Sequence, residues 1–96
     1  MTRLIYAPGA RDDMHRERDY YARIQPSLGA RFVTSVERAV RALAEQPLAM
    51  QELVDGVRRW PVRGFEHGVL YAVEPERIVI LAVFHPRQRP RPVNAP

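Results

Sequence analysis

The chain is expected to fold as a small α+β domain in the order β-α-α-β-β-β, an N-terminal helical hairpin packed on one face of a mainly antiparallel sheet. Three observations predict it. Apolar residues recur at three- and four-residue steps through the first half of the chain, the period of a helix face. The second half changes to short β-branched and aromatic runs separated by Gly- and Pro-containing turns, the pattern of a strand meander. Between the two halves, Gln46-Pro47 marks a sharp stop.

The elements follow in chain order. Arg3–Tyr6 reads as a short first strand ended by Ala7-Pro8-Gly9. From Ala10 to Ile24 the pattern is helical, with Ala10, Met14, Tyr21 and Ile24 along one face and Asp12, Asp13, Arg16, Asp19 and Arg23 elsewhere. Glu17 interrupts that apolar stripe. Gln25-Pro26-Ser27 is a break, with Ser27 the expected N-cap of a second helix. In that helix Leu28, Phe32, Val36, Ala39, Val40 and Leu43 form the clearest stripe in the chain, with Arg31, Arg38 and Arg41 opposite. Pro47 to Gly56 is expected to be a loop. Val57–Val62, Val69–Val73 and Arg77–His85 are the three meander strands. Pro61 lacks a backbone donor, so its strand should be an edge or be bulged there. The continuous apolar run Ile78–Phe84 predicts a central strand covered on both faces. The first strand has no hairpin partner in sequence and must join the meander from a distance. Residues 1–90 are assigned to one domain and 91–96 to a flexible Pro/Arg tail.

Composition narrows the chemistry. Ninety-six residues, 46% of them hydrophobic, suffice for one core without staples. There is no cysteine, which excludes disulfides, thiolate catalysis and cysteine-ligated zinc. All fifteen basic residues are arginine, so no lysine nucleophile or phosphate-loop lysine is available. The net charge of +4 favours an acidic partner. The longest apolar run is too short to span a bilayer and the N-terminus lacks a signal-peptide pattern, so a cytoplasmic protein with no membrane partner is expected. No two histidines have metal-ligand spacing, and no metal or cofactor is expected.

The candidate binding residues sit at the margins of the meander. Arg58, Arg59 and Arg63 flank Trp60, and Arg87 and Arg89 follow His85. A guanidinium fork pairs with carboxylate or phosphate, and an aromatic ring between arginines can stack on a base. In a strand, Arg58 and Arg59 point to opposite faces, so only one of them can share the helix-covered side. His85, at the end of the central strand, is the strongest of the three histidines as an acid/base candidate. His15 reads as solvated, and His67 as a residue of the Gly64-Phe65-Glu66-His67-Gly68 turn.

These pieces together resemble the RelE/ParE superfamily of type II toxins, in its ParE (plasmid stabilisation) branch. The resemblance is carried by Ala10, Asp13-Met14 and Tyr20-Tyr21; by Ala30, Phe32 and the positions on to Leu43; and by Pro47, Gly56-Val57-Arg58-Arg59 and Gly64-Phe65. It ends with Val69-Leu70-Tyr71, Ile78, Ile80-Leu81, Val83, and His85, Arg87 and Pro90. It implies a helical hairpin against a twisted sheet, and a toxin that inhibits DNA gyrase by binding, with no catalytic residue. It also implies a cognate antitoxin, a ribbon-helix-helix protein whose acidic C-terminal segment wraps the toxin, with operator DNA contacted only through that complex. Arg58, Arg59, Trp60, Arg63, His85, Arg87 and Arg89 are the surface expected to meet antitoxin or target. Two alternatives stand beside it. One is a RelE-like ribosome-dependent ribonuclease using Arg58 or Arg59, His85 and Arg87. Gly68 at a position often arginine in such nucleases, the absence of lysine, and a tail without tyrosine weigh against it. The other is a non-toxic relic retained for complex formation and operon regulation. Glu17 departs from the family pattern and is expected to pair with Arg31 or Arg38.

Overall fold

The computed structural model of the chain describes residues 2–86. The observed order is β1 (Arg3–Tyr6), α1 (Ala10–Ile24), α2 (Pro26–Glu45), β2 (Glu52–Val54), β3 (Val57–Pro61), β4 (Gly68–Glu74) and β5 (Arg77–Phe84). The α+β class and the helical hairpin are as the sequence predicts. The sheet has one strand more than expected. Glu52–Val54, assigned to a loop, pairs antiparallel with β3 through Glu52↔Arg58 and Val54↔Val57. Asp55-Gly56 sits between the last pair, a two-residue sequence that favours a tight hairpin, and the Gly56 N–H donates to Glu52 Oε1 at 2.6 Å.

The strand order is β1-β5-β4-β3-β2. The unpartnered first strand finds β5 and pairs with it in parallel, Arg3↔Arg77 to Tyr6↔Ile80. Every other pairing is antiparallel. β3 is therefore not an edge strand, but β2 covers only its first residues, and the missing donor of Pro61 falls beyond them.

Face assignment in β5 changes at a bulge. Leu70 pairs with Ala82 while Tyr71 pairs with Ile80, leaving Leu81 as the extra residue. Ile78, Ile80 and Val83 consequently join the helix-side core, whereas Val79, Leu81 and Ala82 pack together on the other face with Ala7, Val57 and Leu70. This is why Ile78–Val83 is buried throughout and reads as an unbroken apolar run.

The second helix buries the predicted stripe, with Phe32, Val36, Ala39, Val40 and Leu43 all in the helix-side core. Its start differs from expectation. Gln25 alone separates the helices, in extended conformation, ending α1 and capping α2. Pro26 opens α2, where its fixed φ suits a first helical turn and its missing N–H is no loss; extended backbone is also what the residue before a proline adopts. Ser27 lies inside that turn and is not the cap. The first helix departs more. Ile24, placed on its apolar face, is 62% exposed, and Asp13, placed on its polar face, is only 2% exposed. Among the described residues no helix is long and apolar enough to cross a membrane. The 91–96 tail lies outside the described residues.

The one-residue connection brings the helices into close contact at Gly29. A Cβ there would sit 2.9 Å from the Cβ of Ala22 and 2.9 Å from the carbonyl oxygen of Arg18, both on α1. Two effects oppose each other in Gly29→Ala. Helix propensity favours alanine by about 1 kcal/mol, whereas forcing packed backbone apart costs roughly 1–3 kcal/mol. Backbone cannot swing aside as a flexible side chain can, so the clash should dominate. Thermal unfolding of Gly29→Ala should show Tm lowered by several degrees; a raised Tm would show that the two helices separate freely.

Candidate functional site

Two acids on the inner face of α1 fasten it to the sheet. The Asp13 carboxylate accepts the Val83 N–H through Oδ2 at 3.1 Å and a hydrogen bond from Arg16 through Oδ1 at 3.0 Å. β1 ends opposite Ile80, so β5 continues past it, and Asp13 takes up a backbone donor there. One helical turn later Glu17 meets His67, with Oε1 2.7 Å from Nε2. Glu17 also lies 3.7 Å from Arg16, not beside Arg31 or Arg38 of α2 as expected. The break in the apolar stripe of α1 thus has a structural partner fifty residues away in sequence.

His67 is fully buried, not a tolerant turn residue. Its carbonyl accepts the Val62 N–H at 2.9 Å, closing the turn that feeds β4. Its ring packs edge-on against Phe32 and His85, with centroids 4.9 and 4.8 Å away. Phe65 and Tyr21 complete the cluster, 5.0 Å from each other. Nδ1 of His67 is buried with no hydrogen-bond partner among the described residues. The neutral tautomer with the proton on Nε2 fits both facts, since it donates to Glu17 and leaves only a lone pair unmet. Burial pushes the His67 pKa down, the hydrogen bond and charge of Glu17 pull it up, His85 adds a lowering contribution and Glu66 a raising one, and burial wins. His85 itself is half-buried, 3.9 Å from Glu66.

Among the described residues, the candidate arginines Arg58, Arg59 and Arg63 occupy different positions. Arg58 and Arg59 face opposite sides, as strand alternation predicts: Arg58 is paired with Tyr71, whose side chain lies in the helix-side core, and Arg59 with Leu70 of the outer cluster. Arg58 is largely occupied by structure. Its Nη1 donates to the Met50 carbonyl and its Nη2 lies 3.6 Å from Glu52, so it holds the loop before β2. Beside it the Tyr71 hydroxyl donates to the Pro47 carbonyl at 2.9 Å, and burial raises the Tyr71 pKa, keeping that donor protonated. Arg59 lies flat across Gly68 and donates from Nη2 to the Glu66 carbonyl at 2.9 Å. A Cβ on Gly68 would come within 2.3 Å of the Arg59 Nε, so the glycine makes room for this guanidinium. Trp60 and Arg63 line a separate groove against α2, together with Arg38 and Ser35. Arg87 and Arg89 lie outside the described residues.

Arg58 and His85 are also far apart. Arg58 is level with Tyr71 and Ile80, and the last four residues of β5 separate Ile80 from His85, roughly 15 Å at the rise of a strand. Arg58 is thus remote from His85, whereas Arg59 and His85 both lie against Glu66. Among the described residues no group of three or more His, Asp or Glu is placed to hold a metal ion.

Comparison with known proteins completes this picture. Residues 4–90 match the family described as ParE toxin of type II toxin-antitoxin system, parDE. The chain belongs to that family. No curated protein matches it in sequence. Among solved structures, this ParE-family chain is similar to one from the chromosomal ParDE TA system of P. aeruginosa, with a TM-score of 0.77 and 22% identity. The match covers 88% of this chain and 96% of the other. The arrangement that matches is α+β, two helices with a mixed five-strand sheet.

Sequence reading missed Asp13, Glu17 and His67 as a buried set, and Arg38 as a companion of Trp60. The interruption at Glu17 was the only signal for the first group. Linkage fixes the sign of the His67 effect. Its folded pKa lies below the unfolded value near 6.5, so the unfolded chain binds more protons in the window between the two. Stability should therefore fall as pH drops through about 6.5 toward the folded pKa, and be unaffected by His67 above it. Urea unfolding of the protein and of His67→Leu across this range should show a steeper acid-side loss for the unsubstituted chain. Parallel curves would mean that His67 is not held neutral by burial.

Proposed function

We propose that this ParE-family chain is the toxin of a type II pair that stops growth by binding DNA gyrase, with no bond-making of its own, and that a cognate antitoxin neutralises it. The observation that carries the reading is the engagement of Arg58. The basic residue best placed on the helix side of β3 is spent on the Met50 carbonyl and Glu52, and Arg59 is turned to the opposite face. A phosphate clamp for RNA cleavage needs convergent, unoccupied cations near an acid/base group. The arrangement of Arg58, Arg59 and His85 favours a scaffold that presents surface over one that cleaves.

The antitoxin half of the proposal draws on charge. Arg31 and Arg41, along the outer face of α2, are exposed, and neither is in an ion pair among the described residues. On a chain of net charge +4, such guanidiniums suit an acidic segment that orders on binding, as the C-terminal region of a ribbon-helix-helix antitoxin would. The similar solved structure comes from a ParDE system, which supports a partner of this class. Operator DNA would then be reached only through that partner, and the complex would act in the cytoplasm.

Induced expression in a host without the antitoxin tests this. The expected result is filamentation, an induced DNA-damage response and altered plasmid supercoiling with intact mRNA. Rapid cleavage of ribosome-bound mRNA would overturn it, and unimpaired growth at confirmed expression would equally show that the chain is not a toxin.

A further inference from the structure

The geometry points to a nucleotide-binding groove between α2 and β3, in which the indole of Trp60 stacks on the base and Arg38 and Arg63 hold the phosphate. The inference goes beyond the gyrase reading and does not depend on it.

The groove has a volume of about 520 Å³, within the range of small-ligand sites. Its helical wall is built from Ser35, Arg38, Ala39 and Ala42, spaced as one stripe of α2. Two of these four are alanines, so the wall is low and flat between a hydroxyl and a guanidinium. The opposite wall is Trp60, followed by Pro61 and Arg63. Trp60 points toward the helices because it packs against the helix-side core, yet it is only half-buried, so part of the indole is left to the groove.

The charge of the groove selects the ligand. No lining residue is acidic. Arg38 and Arg63 are exposed and make no ion pair among the described residues, unlike Arg16, Arg18, Arg58 and Arg77, which all do. Two guanidinium forks at one site match a phosphate with its several oxygens better than a single carboxylate. Alanine methyls and an indole face match a planar ring, and base–aromatic stacking tolerates any base. A planar ring carrying a phosphate is a nucleotide, either free or as one unit of a single strand. Ser35, half-buried at the groove, adds a hydroxyl donor or acceptor.

Trp60 is the only tryptophan of the chain, so its fluorescence reports on this groove alone. Purified full-length protein titrated with adenosine monophosphate should show saturable quenching, and adenosine without phosphate should bind much more weakly. Arg38→Gln and Arg63→Gln, both surface changes that should leave Tm unchanged, should each weaken binding about tenfold, the scale of one charge-assisted hydrogen bond. Arg31→Gln on the exposed face of the same helix removes the same charge outside the groove and should have little effect. An oligonucleotide that binds far more tightly than the monophosphate, with steep salt dependence, would identify a single strand as the source; similar affinities would identify free nucleotide. Absence of saturable quenching by either would overturn the inference. So would equal losses from Arg31→Gln and Arg63→Gln, or a response of Trp60 to a polyglutamate peptide and not to nucleotides.

Discussion

The docking of α1 through two acids, Asp13 and Glu17, is the constraint on which the arrangement of this chain depends. An amphipathic helix normally meets a sheet with an apolar stripe alone. Here the inward face also carries a carboxylate that takes the Val83 N–H and another that takes the His67 ring. Hydrogen bonds of this kind add only modest net stability, but leaving either group buried without its partner is costly. They therefore act chiefly by specifying position. Asp13 fixes α1 against the end of β5, and Glu17 fixes it against the turn entering β4. With α1 set, the single-residue connection at Gln25 and the close approach at Gly29 leave α2 little freedom over the sheet.

The position of α2 in turn decides what the basic residues of β3 can do. Strand alternation sends Arg58 and Trp60 toward the helices and Arg59 away from them. Arg58 falls within reach of the Met50 carbonyl and becomes a brace for the segment leading into β2. Trp60, two residues on, meets the alanine-bearing stripe of α2 and leaves a groove bordered by Arg38 and Arg63. One strand thus contributes a structural arginine and an open aromatic groove within three residues.

Much of this was legible in the sequence, and the failures share a cause. The stripe from Leu28 to Leu43, the meander and the opposite facing of Arg58 and Arg59 all rest on local periodicity, which the chain displays directly. Strand β2 escaped because three exposed residues carry no alternation, although Asp55-Gly56 signalled its hairpin. Asp13, Glu17 and His67 escaped because each is polar, and a polar residue in a helix or turn looks solvated until its distant partner is known. The groove was half seen: Trp60 and Arg63 stood out as neighbours, but Arg38 joins them only through the packing of α2 on β3.

The proposed toxin would act by occupying gyrase and not by cleaving RNA. The most direct test is a supercoiling assay with purified gyrase and relaxed plasmid, run with the purified chain and no other factor. Loss of negative supercoiling in proportion to added protein, restored by an acidic antitoxin segment, is the predicted result. Full gyrase activity in a stoichiometric excess of the chain, together with cleavage of mRNA on added ribosomes, would contradict it.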